Sequence, residues 1–492
     1  MNDAMSMRQR SCGRLVLLLV MSATGWVLDV RSVAAAVPTP RQPNLLVFLA
    51  DDLGAHDLGC TGSTFYRTPA IDRLAAEGTL FTRGYASCPV CSPTRAALMT
   101  GRHPARVKIT NYIAGNRRGR LLPAEFLHAL PQEEVTIAEL LKAAGYSTGV
   151  FGKWHLGDPQ AIPTHGFDAT GSTTLSPGRG PTDDPMHARA IATGAASFIE
   201  AHGEQPWFCY VPMHSVHVPL KARPDFVAED EKRASSLPHV GRREVVEGDH
   251  KARAVQDLPV YAAMVRELDE TVATVLAAVE KSGGRDKTLV IFTSDNGGLS
   301  TAEGSPTSNL PLRAGKGYVY EGGIRVPLIV RWPGIVKPGT TTDVPTTTLD
   351  VPATLLDAAG VKPPVGVVLD GVSLRSVLAD TGPLPARDIF WHYPHYSNQG
   401  GRPAAALLAG DGPRPGTEKL VEHFEDGRVE LFDLASDPGE CRDLSDERQE
   451  RASQLRARLA AWRESVQAAL PTPNPQPVEP FGPDALPGRK AE

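Results

Sequence analysis

Asn44-Leu45-Leu46-Val47-Phe48-Leu49-Ala50 is an almost wholly apolar run that leads directly into Asp51 and Asp52. A run of this kind is typical of a strand buried on both faces, as in parallel sheets. Three later stretches, at 147–155, 207–219 and 288–298, repeat the layout of a short apolar run followed by polar residues. Helical patterns at 135–144 and 261–279 alternate with them. This alternation predicts an α/β fold with parallel strands.

The polar residues at the ends of these runs form the candidate site. Ligands of open α/β sheets bind beyond the carboxyl ends of the strands. Asp51, Asp52, Asp295 and Asn296 offer only oxygen ligands, which suit calcium or magnesium rather than zinc. An Asp-Asn-Gly sequence also forms ordinary turns. The predicted metal site therefore depends on the pair Asp51 and Asp52 occurring together with the pair Asp295 and Asn296.

A second feature is Cys91-Ser92-Pro93-Thr94-Arg95, which begins a predicted helix that Gly101 can end. Free N–H groups at the start of a helix favour an anion near residue 91. Arg95 lies one turn further on and faces the same side. Considered alone, the pattern also fits an inert buried cysteine at the start of a surface helix.

The N-terminus is typical of a signal peptide. Arg8, Arg10 and Arg14 precede an apolar stretch at 15–21, and small residues at 32–36 provide a cleavage site. We therefore expect a periplasmic or secreted protein without a stable membrane anchor, with an uncleaved anchor as the alternative. No other apolar run approaches the length of a membrane span.

Charge and cysteine content exclude some function classes. Removal of residues 1–36 takes away four arginines and two aspartates, which changes the formal net charge from −5 to −7. An acidic protein has no general field for nucleic acid, so an anionic substrate needs cations supplied by the pocket. Besides Cys91, the mature chain keeps four cysteines, which permit disulfides but define no pairing. They are Cys60, Cys88, Cys209 and Cys441.

Six ordered motifs resemble those of the type I sulfatases. They are Asn44 to Gly54, Cys91 to Arg102, Gly152-Lys153-Trp154-His155-Leu156-Gly157, His217-Val218-Pro219, Asp295-Asn296-Gly297-Gly298 and the lysine segment 312–327. Six motifs in order are far more specific than one pattern. The resemblance implies an alkaline-phosphatase-like fold, with a mixed, mostly parallel sheet between helices and a smaller C-terminal α+β domain. It also implies hydrolysis of sulfate esters.

The resemblance implies how the nucleophile is made and held. Cys91 would be oxidised to formylglycine by a formylglycine-generating or anaerobic sulfatase-maturing enzyme. Its hydrated aldehyde would attack sulfur and give a covalent sulfate ester. Calcium, or magnesium as the alternative, would be held by the four oxygen-ligand residues. Arg95 would hold the diol, and Asp295 would accept its proton.

The resemblance also implies roles around the sulfate group. Lys153, Lys316 and His217 would neutralise charge on the sulfuryl oxygens, and Lys316 or His217 would protonate the leaving group. His155 would accept the proton that allows sulfate to be eliminated. His214 is predicted to contact substrate or to support those residues.

The remaining chain suggests a domain organisation. We expect a catalytic domain at 37–385, a C-terminal subdomain at 386–470 and a proline-rich disordered tail at 471–492. Alternating strands at 419–424 and 430–434, followed by a helix, predict an antiparallel hairpin in the subdomain. The charged segment 221–257 shows no clear period and is predicted to be an exposed excursion.

The segment Trp391-His392-Tyr393-Pro394-His395-Tyr396 is the candidate for specificity. His392 and Tyr393 are predicted to bind substrate, because aromatic residues stack on sugars and polar groups such as Asn398 bind hydroxyls. The alternative is a packing cluster between domains. A similar segment occurs in bacterial carbohydrate sulfatases, which favours a sulfated glycan and, by subgroup resemblance, a galactose or N-acetylgalactosamine 4-sulfate.

Two other functions remain open from the sequence. One is a phosphate or phosphonate ester hydrolase of the same superfamily, and the other is a non-catalytic secreted glycan-binding protein, if Cys91 is unmodified. A single site with oxygen ligands and a cradle of lysine and histidine favours the sulfatase.

Overall fold

The apolar runs quoted above become neighbouring strands of one sheet. The computed structural model of the chain describes residues 42–203, 205–237, 243–247, 250–412 and 414–478. The predicted signal peptide lies outside the described residues. Among the described residues, no helix combines the length and the apolar composition needed to cross a membrane.

The structure contains strands of very different length. In chain order they are β1 (Asn44–Ala50), β2 (Thr79–Tyr85), β3 (Leu121–Leu122), β4 (Ser147–Phe151), β5 (Ala169–Gly171), β6 (Trp207–Pro212), β7 (Glu244–Glu247), β8 (His250–Arg253), β9 (Thr288–Ser294), β10 (Arg325–Arg331), β11 (Thr340–Thr342), β12 (Thr346–Thr347), β13 (Ile389–Tyr393), β14 (Ala404–Leu408), β15 (Glu418–His423), β16 (Val429–Asp433) and β17 (Thr472–Pro473).

The α-helices lie between these strands and at the C-terminal end. They are α1 (Pro69–Ala76), α2 (Cys91–Thr100), α3 (Pro104–Val107), α4 (Ile137–Ala143), α5 (Ala188–Ala201), α6 (Pro224–Ser235), α7 (Pro259–Lys281), α8 (Glu321–Ile324), α9 (Asp350–Ala359), α10 (Arg375–Leu378) and α11 (Gln449–Ser465). Short 3₁₀ helices occur at Gly59–Thr61, Pro159–His165 and Arg285–Lys287.

The large sheet has the strand order β11-β2-β10-β9-β1-β6-β4-β5, and β12 pairs with β2. Strand β10 runs antiparallel to β9 and β2, and the other pairs are parallel. The predicted mixed, mostly parallel sheet is confirmed. Leu49 lies opposite both Thr293 and Pro212, so the carboxyl ends of β1, β9 and β6 coincide. The polar residues that follow these strands therefore meet at one edge.

Helices cover both faces of this sheet. Leu46 and Phe48 of β1 pack in one core with residues of α5 and α7, such as Leu268. Leu45 and Val47 pack in a second core with residues of α2, α4 and α9. Successive side chains of a strand point to opposite faces, so a strand between two helical layers must be apolar at nearly every position. This burial explains the unbroken apolar run of β1.

The second sheet is an antiparallel meander in the order β13-β14-β15-β16. The predicted hairpin is confirmed as β15 and β16, and the turn between them contains Gly427 at a φ of 72°. Helix α11 covers one face through Leu455 and Leu459. The other face packs against Tyr85 of β2 in a shared hydrophobic core. On this face, Trp391 Nε1 donates to Ala86 O at 2.8 Å. The predicted boundary at 385/386 falls shortly before β13, and the domain limits stay a prediction.

Three features go beyond what the local sequence indicated. The segment 221–257, predicted to be an exposed excursion without a clear period, contains α6 and the hairpin of β7 and β8. The predicted disordered tail is wrong for residues 471–478, where β17 pairs with β3; residues from 479 onward lie outside the described residues. The five described cysteines are free, so the permitted disulfides do not form among them.

A buried charge cluster joins the second sheet to the catalytic part. Lys419 Nζ is fully buried and lies 3.0 Å from Glu321 Oε1 and 2.8 Å from Glu440 Oε1. The Tyr85 hydroxyl donates to Glu321 Oε2 at 3.0 Å. Burial raises the pKa of Glu440 to about 7, although Lys419 opposes this shift.

We expect Lys419→Met to lower the free energy of unfolding by about 3–5 kcal/mol, because it leaves two carboxylates buried without their cation. Urea denaturation measures the change. Lys251→Ala, which removes an exposed pair with Glu244, is the control and should cost at most about 1 kcal/mol. Equal losses in the two variants would contradict the prediction.

Candidate active site

Four strand ends supply the polar side chains of the site. Asp51 and Asp52 follow β1, and Asp295 and Asn296 follow β9. The backbone connects these ends directly, because Asp295 N donates to Ala50 O and Asp51 N donates to Ser215 O, each at 3.1 Å. The convergence predicted from the sequence is therefore present.

Two glycines allow the neighbouring segments to pack closely. Gly152 has a φ of 123°, and a Cβ there would lie 1.9 Å from Pro212 O. The absence of a side chain lets Lys153 N donate to the same carbonyl at 2.7 Å. A Cβ at Gly297 would lie 2.0 Å from Gly322 O. These contacts fix the Lys153 loop and the lysine segment against the strand ends.

The acidic residues are held by the buried Lys316 and the partly buried Lys153. Lys153 Nζ lies 2.6 Å from Asp51 Oδ2, and Lys316 Nζ lies 2.7 Å from Asp52 Oδ2. Burial alone would raise the pKa of Asp51, but the charges of Lys153 and His217 hold it well below its usual value. Asp51 is therefore ionised, and the site combines carboxylates with cations that can receive an anion.

A cation fits between these carboxylates. Ligand atoms of Asp51, Asp52 and His217 lie within 4.8 Å of one another. Asp51 Oδ1 and Asn296 Oδ1 are buried oxygens without a hydrogen-bond partner among the described residues. A buried polar atom without a partner is costly, and a hard cation bound by oxygen would satisfy both. Among the described residues, these two oxygens of the predicted ligand set thus accept no hydrogen bond, although Arg95 Nη2 lies 3.6 Å from Asp51 Oδ1.

The other predicted ligands are already engaged. Asp52 Oδ1 accepts from Asn296 Nδ2 at 2.8 Å. Asp295 Oδ1 accepts from Asp52 N at 3.2 Å, and Asp295 Oδ2 accepts from Arg95 Nε and Nη2 at 2.9 and 2.7 Å. Burial and the charge of Asp51 raise the pKa of Asp295 to about 7, although Arg95 opposes the shift.

Arg95 is fully buried and links two parts of the site. Besides Asp295, it binds the Lys153 carbonyl, to which Nη1 donates at 2.7 Å. It lies one turn after Cys91, as the helical spacing predicts. Its direct partners are protein groups, and its contact with a diol stays a prediction.

Cys91 is the first residue of α2 and is almost completely buried, with 2% of its surface exposed. Thr94 Oγ1 accepts from Cys88 N at 3.1 Å, and Ser92 Oγ accepts from Ile113 N at 3.0 Å. These bonds fix the start of the helix and a loop beside it. Burial raises the pKa of the Cys91 thiol, although Lys153 and Lys316 oppose this shift. An unmodified thiol at this position is therefore a poor nucleophile.

Cys91 lies in the wall of a cavity of about 430 Å³. The described residues of the wall are Cys91, Tyr112, Ile113, Lys153, Trp154, His155, Thr173, Leu175, Ser176, Pro177, His214, His217, Glu303, Lys316, Asn398 and Gln399. The cavity thus brings together the predicted nucleophile, both lysines and all three predicted histidines. Its volume is suitable for a sulfate group and one sugar ring.

The three histidines differ in their hydrogen bonds. His217 Nδ1 donates to Val218 O at 2.6 Å, which turns Nε2 toward Asp52 Oδ2 at 3.7 Å. His155 Nδ1 and both ring nitrogens of His214 have no partner among the described residues. Burial and the charge of Lys153 lower the pKa of His214 to about 3 and that of His155 well below its usual value. Both rings are therefore neutral at pH 7.

His392 and Tyr393 lie elsewhere, and the structure contradicts their predicted contact with substrate. Both side chains are at most 1% exposed and are absent from the described cavity wall. His392 Nε2 bonds to Ala469 O at 2.8 Å, and the Tyr393 hydroxyl donates to Asn111 Oδ1 at 3.1 Å. They belong to the packing of the second sheet, which was the alternative interpretation.

The sequence analysis missed several residues of the wall. The loop 173–177 follows β5, a strand of three residues that lies parallel to β4 and ends at the same edge. Such a short strand gives no periodic signal. Tyr112, Glu303 and Gln399 come from irregular segments, and their proximity to the nucleophile was not visible as a motif.

Two family models match the chain. The Sulfatase model matches residues 43–361, and the model described as N-sulphoglucosamine sulphohydrolase, C-terminal, matches residues 314–465. Together they cover the large sheet, the candidate site and the second sheet.

Curated proteins and solved structures agree with these matches. N-acetylgalactosamine-6-sulfatase of Canis lupus familiaris is 34% identical, over 76% of this chain and 73% of the relative. Arylsulfatase A of Homo sapiens is 31% identical, over 83% and 84%. The crystal structure of Ps i-CgsB in complex with k-i-k-neocarrahexaose is 26% identical with a TM-score of 0.69, and the match covers 86% of this chain and 93% of that one.

Proposed function

The chain belongs to the sulfatase family and is a sulfuric ester hydrolase, and from this premise we propose that it removes O-sulfate from a sulfated carbohydrate. The nucleophile would be formylglycine made from Cys91, and calcium would be the bound metal. The observation that carries this proposal is Cys91 at the start of α2, in a cavity that also contains Lys153 and Lys316. A buried thiol with a raised pKa needs conversion to become reactive in this position.

Formylglycine would require a maturing enzyme, of the formylglycine-generating or the anaerobic type, as a partner. When hydrated, it supplies one hydroxyl for attack on sulfur and a second hydroxyl that permits release of sulfate. Asp295 can accept a proton from a group at residue 91, because burial and Asp51 raise its pKa to about 7. His155, neutral at pH 7, is the second candidate base.

Asp51, Asp52, Asp295 and Asn296 would hold calcium, with magnesium as the alternative. Two of these residues provide oxygens that accept no hydrogen bond from the described residues, and all four provide only oxygen ligands. Calcium, when bound, polarises oxygen atoms and lowers the cost of deprotonating the attacking hydroxyl.

The remaining residues would bind the sulfate group. Lys153 and Lys316 line the cavity, and they would neutralise charge on the sulfuryl oxygens as the ester bond breaks. His217 is positioned by Val218 so that Nε2 faces the acidic cluster. Lys316 or His217 would protonate the leaving alcohol. His214, whose ring nitrogens have no hydrogen-bond partner in the part of the chain that the structure describes, would donate a hydrogen bond to substrate.

A sulfated carbohydrate is the proposed substrate class. Among the relatives are an N-acetylgalactosamine-6-sulfatase and Ps i-CgsB, which was crystallised with k-i-k-neocarrahexaose. In this chain, Tyr112, Asn398 and Gln399 line the cavity and could bind sugar hydroxyls. We propose either the 4-sulfate or the 6-sulfate of a galactose-type sugar as the group removed.

Asn398→Ala should separate the sugar contacts from the sulfate contacts. We expect kcat/KM for N-acetylgalactosamine 4- or 6-sulfate to fall about tenfold, because one net hydrogen bond to the sugar is worth on the order of 1 kcal/mol. Turnover of 4-nitrophenyl sulfate, which lacks the sugar, should fall much less. Steady-state kinetics on both substrates measure the difference.

Gln454→Ala, which removes an exposed amide on α11, is the control for this experiment and should change neither rate. The wild-type enzyme should also hydrolyse 4-nitrophenyl phosphate far more slowly than 4-nitrophenyl sulfate. Activity confined to the phosphate would support the phosphate or phosphonate hydrolase instead. Equal losses on both sulfates in Asn398→Ala would show that this residue does not bind the sugar.

A further inference from the structure

Glu303 lies at the mouth of the active-site cavity, in a turn of the segment that follows β9. The residue is exposed and has a φ of 54°, and Ser305 N donates to Ala302 O at 2.8 Å to close the turn. Its side chain forms part of the cavity wall together with Lys316 and Cys91. The carboxylate is thus accessible to solvent and borders the space available for substrate.

Two hydrogen bonds hold the Glu303 turn against the opposite segment. Gln399 Nε2 donates to Glu303 Oε2 at 3.0 Å, and Thr301 Oγ1 donates to the Gln399 carbonyl at 2.9 Å. Gln399 itself is 4% exposed. Among the described residues, we find no donor to Glu303 Oε1. One carboxylate oxygen is therefore positioned by the protein, and the other can accept a hydrogen bond from a ligand.

The sign of this charge is unusual for its position. Among the described residues of the cavity wall, Glu303 alone carries a carboxylate, whereas the inner wall carries Lys153 and Lys316. Its field reaches the inner wall: burial lowers the pKa of Lys316, but Asp52 and other groups, including Glu303, raise it above its usual value. The inner end of the cavity thus attracts an anion, and its mouth repels one.

We propose that Glu303 is a specificity-determining residue that favours a singly sulfated sugar over one with a second anionic group beside the scissile sulfate. This inference rests on the proposed function. A hydroxyl or amide N–H of the sugar can donate to Oε1, whereas a second sulfate or a uronate carboxylate meets a like charge. Rejection by an unfavourable charge is a common source of specificity.

The test compares N-acetylgalactosamine 4-sulfate and 6-sulfate with the 4,6-disulfate. The wild-type enzyme should have a higher kcat/KM for the monosulfate that it hydrolyses, whether 4-sulfate or 6-sulfate, than for the 4,6-disulfate. Glu303→Gln removes the charge and preserves shape, and it should raise the ratio of kcat/KM for disulfate to that for monosulfate about tenfold, as expected for two unit charges several ångströms apart near a protein surface. Added 0.5 M NaCl should weaken the preference of the wild type but not that of the variant, since salt screens exposed charges.

Glu200→Gln is the matched control. It also removes an exposed carboxylate, which pairs with Lys281 at the opposite edge of the sheet, and it should leave the ratio unchanged. An equal ratio in Glu303→Gln and in the control, or a wild-type preference for the disulfate, would overturn the role of Glu303 but not the proposed sugar substrate. Failure of the matured enzyme to hydrolyse any of the three sugars, while it hydrolyses 4-nitrophenyl sulfate, would overturn the proposed sugar substrate and this inference together.

Discussion

Cys91→Ala is expected to lower kcat for sulfate esters by on the order of 10⁴–10⁶-fold, the loss typical when an enzyme loses its nucleophile. The neighbouring cations would still bind the sulfate group, so KM should change far less than kcat. Steady-state kinetics on 4-nitrophenyl sulfate and on a sulfated sugar measure both constants. Comparable changes in kcat and KM would indicate that residue 91 contributes to binding rather than to attack.

The same position can be tested without measuring activity. Peptide mass spectrometry of protein from its native host should find an aldehyde at residue 91, and a hydrazine probe should label it. Cys91→Ser should not be labelled and should support, at most, slow sulfation of its own side chain. Cys441→Ala, which removes an exposed cysteine outside the cavity, is the control and should keep both label and activity. A native peptide with only an intact thiol at 91 would contradict the formylglycine proposal and favour a non-catalytic binding protein.

Asp51→Asn is expected to lower calcium affinity by at least about 100-fold. Removing a residue that only orients a metal ligand can already lower metal affinity by about 100-fold, and removing the ligand itself should cost at least as much. Among the described residues, Asp51 Oδ1 accepts no hydrogen bond and lies 3.6 Å from Arg95 Nη2, and Asp51 Oδ2 binds Lys153. The substitution keeps the shape of the side chain but removes the negative charge that a cation needs. Isothermal titration calorimetry with calcium and the metal-depleted protein measures this loss directly.

Thermal unfolding gives an independent measurement. Calcium should raise the Tm of the metal-depleted wild type by mass action and should hardly change that of Asp51→Asn. Asp286→Asn, which changes an exposed aspartate in the 3₁₀ helix before β9, serves as the control and should respond like the wild type. If elemental analysis found stoichiometric zinc instead of calcium or magnesium, the phosphate hydrolase would become the better proposal.

The strands at the centre of the fold were predictable because their environment leaves little choice. Both faces of β1 are covered by helices, so its sequence is apolar at nearly every position, and the bounds Asn44–Ala50 match the prediction. The rule that ligands bind at the carboxyl ends of parallel strands then brought Asp51 and Asp295 to one site. Local sequence was also sufficient for α2, which begins at Cys91 and ends before Gly101 with a φ of 69°.

Other features were beyond local sequence. The pairing of β17 with β3 joins two-residue strands that are about 350 positions apart, and such short elements have no periodicity. Helix α6 was missed because its exposed surface is charged, with few apolar residues to mark a face.

The sequence by itself determined the α/β class, the four strand ends and the position of Cys91 and the acidic residues, because these depend on short segments with strong burial or fixed spacing. Tertiary structure decided which side chains line the cavity. His392 and Tyr393 are residue types suitable for binding sugar, yet both are buried in the packing on the two faces of β13, whereas Glu303 has no motif and lies at the cavity mouth. An aromatic ring can equally pack in a core or stack on a ligand. Only the arrangement of distant segments determines which of these it does.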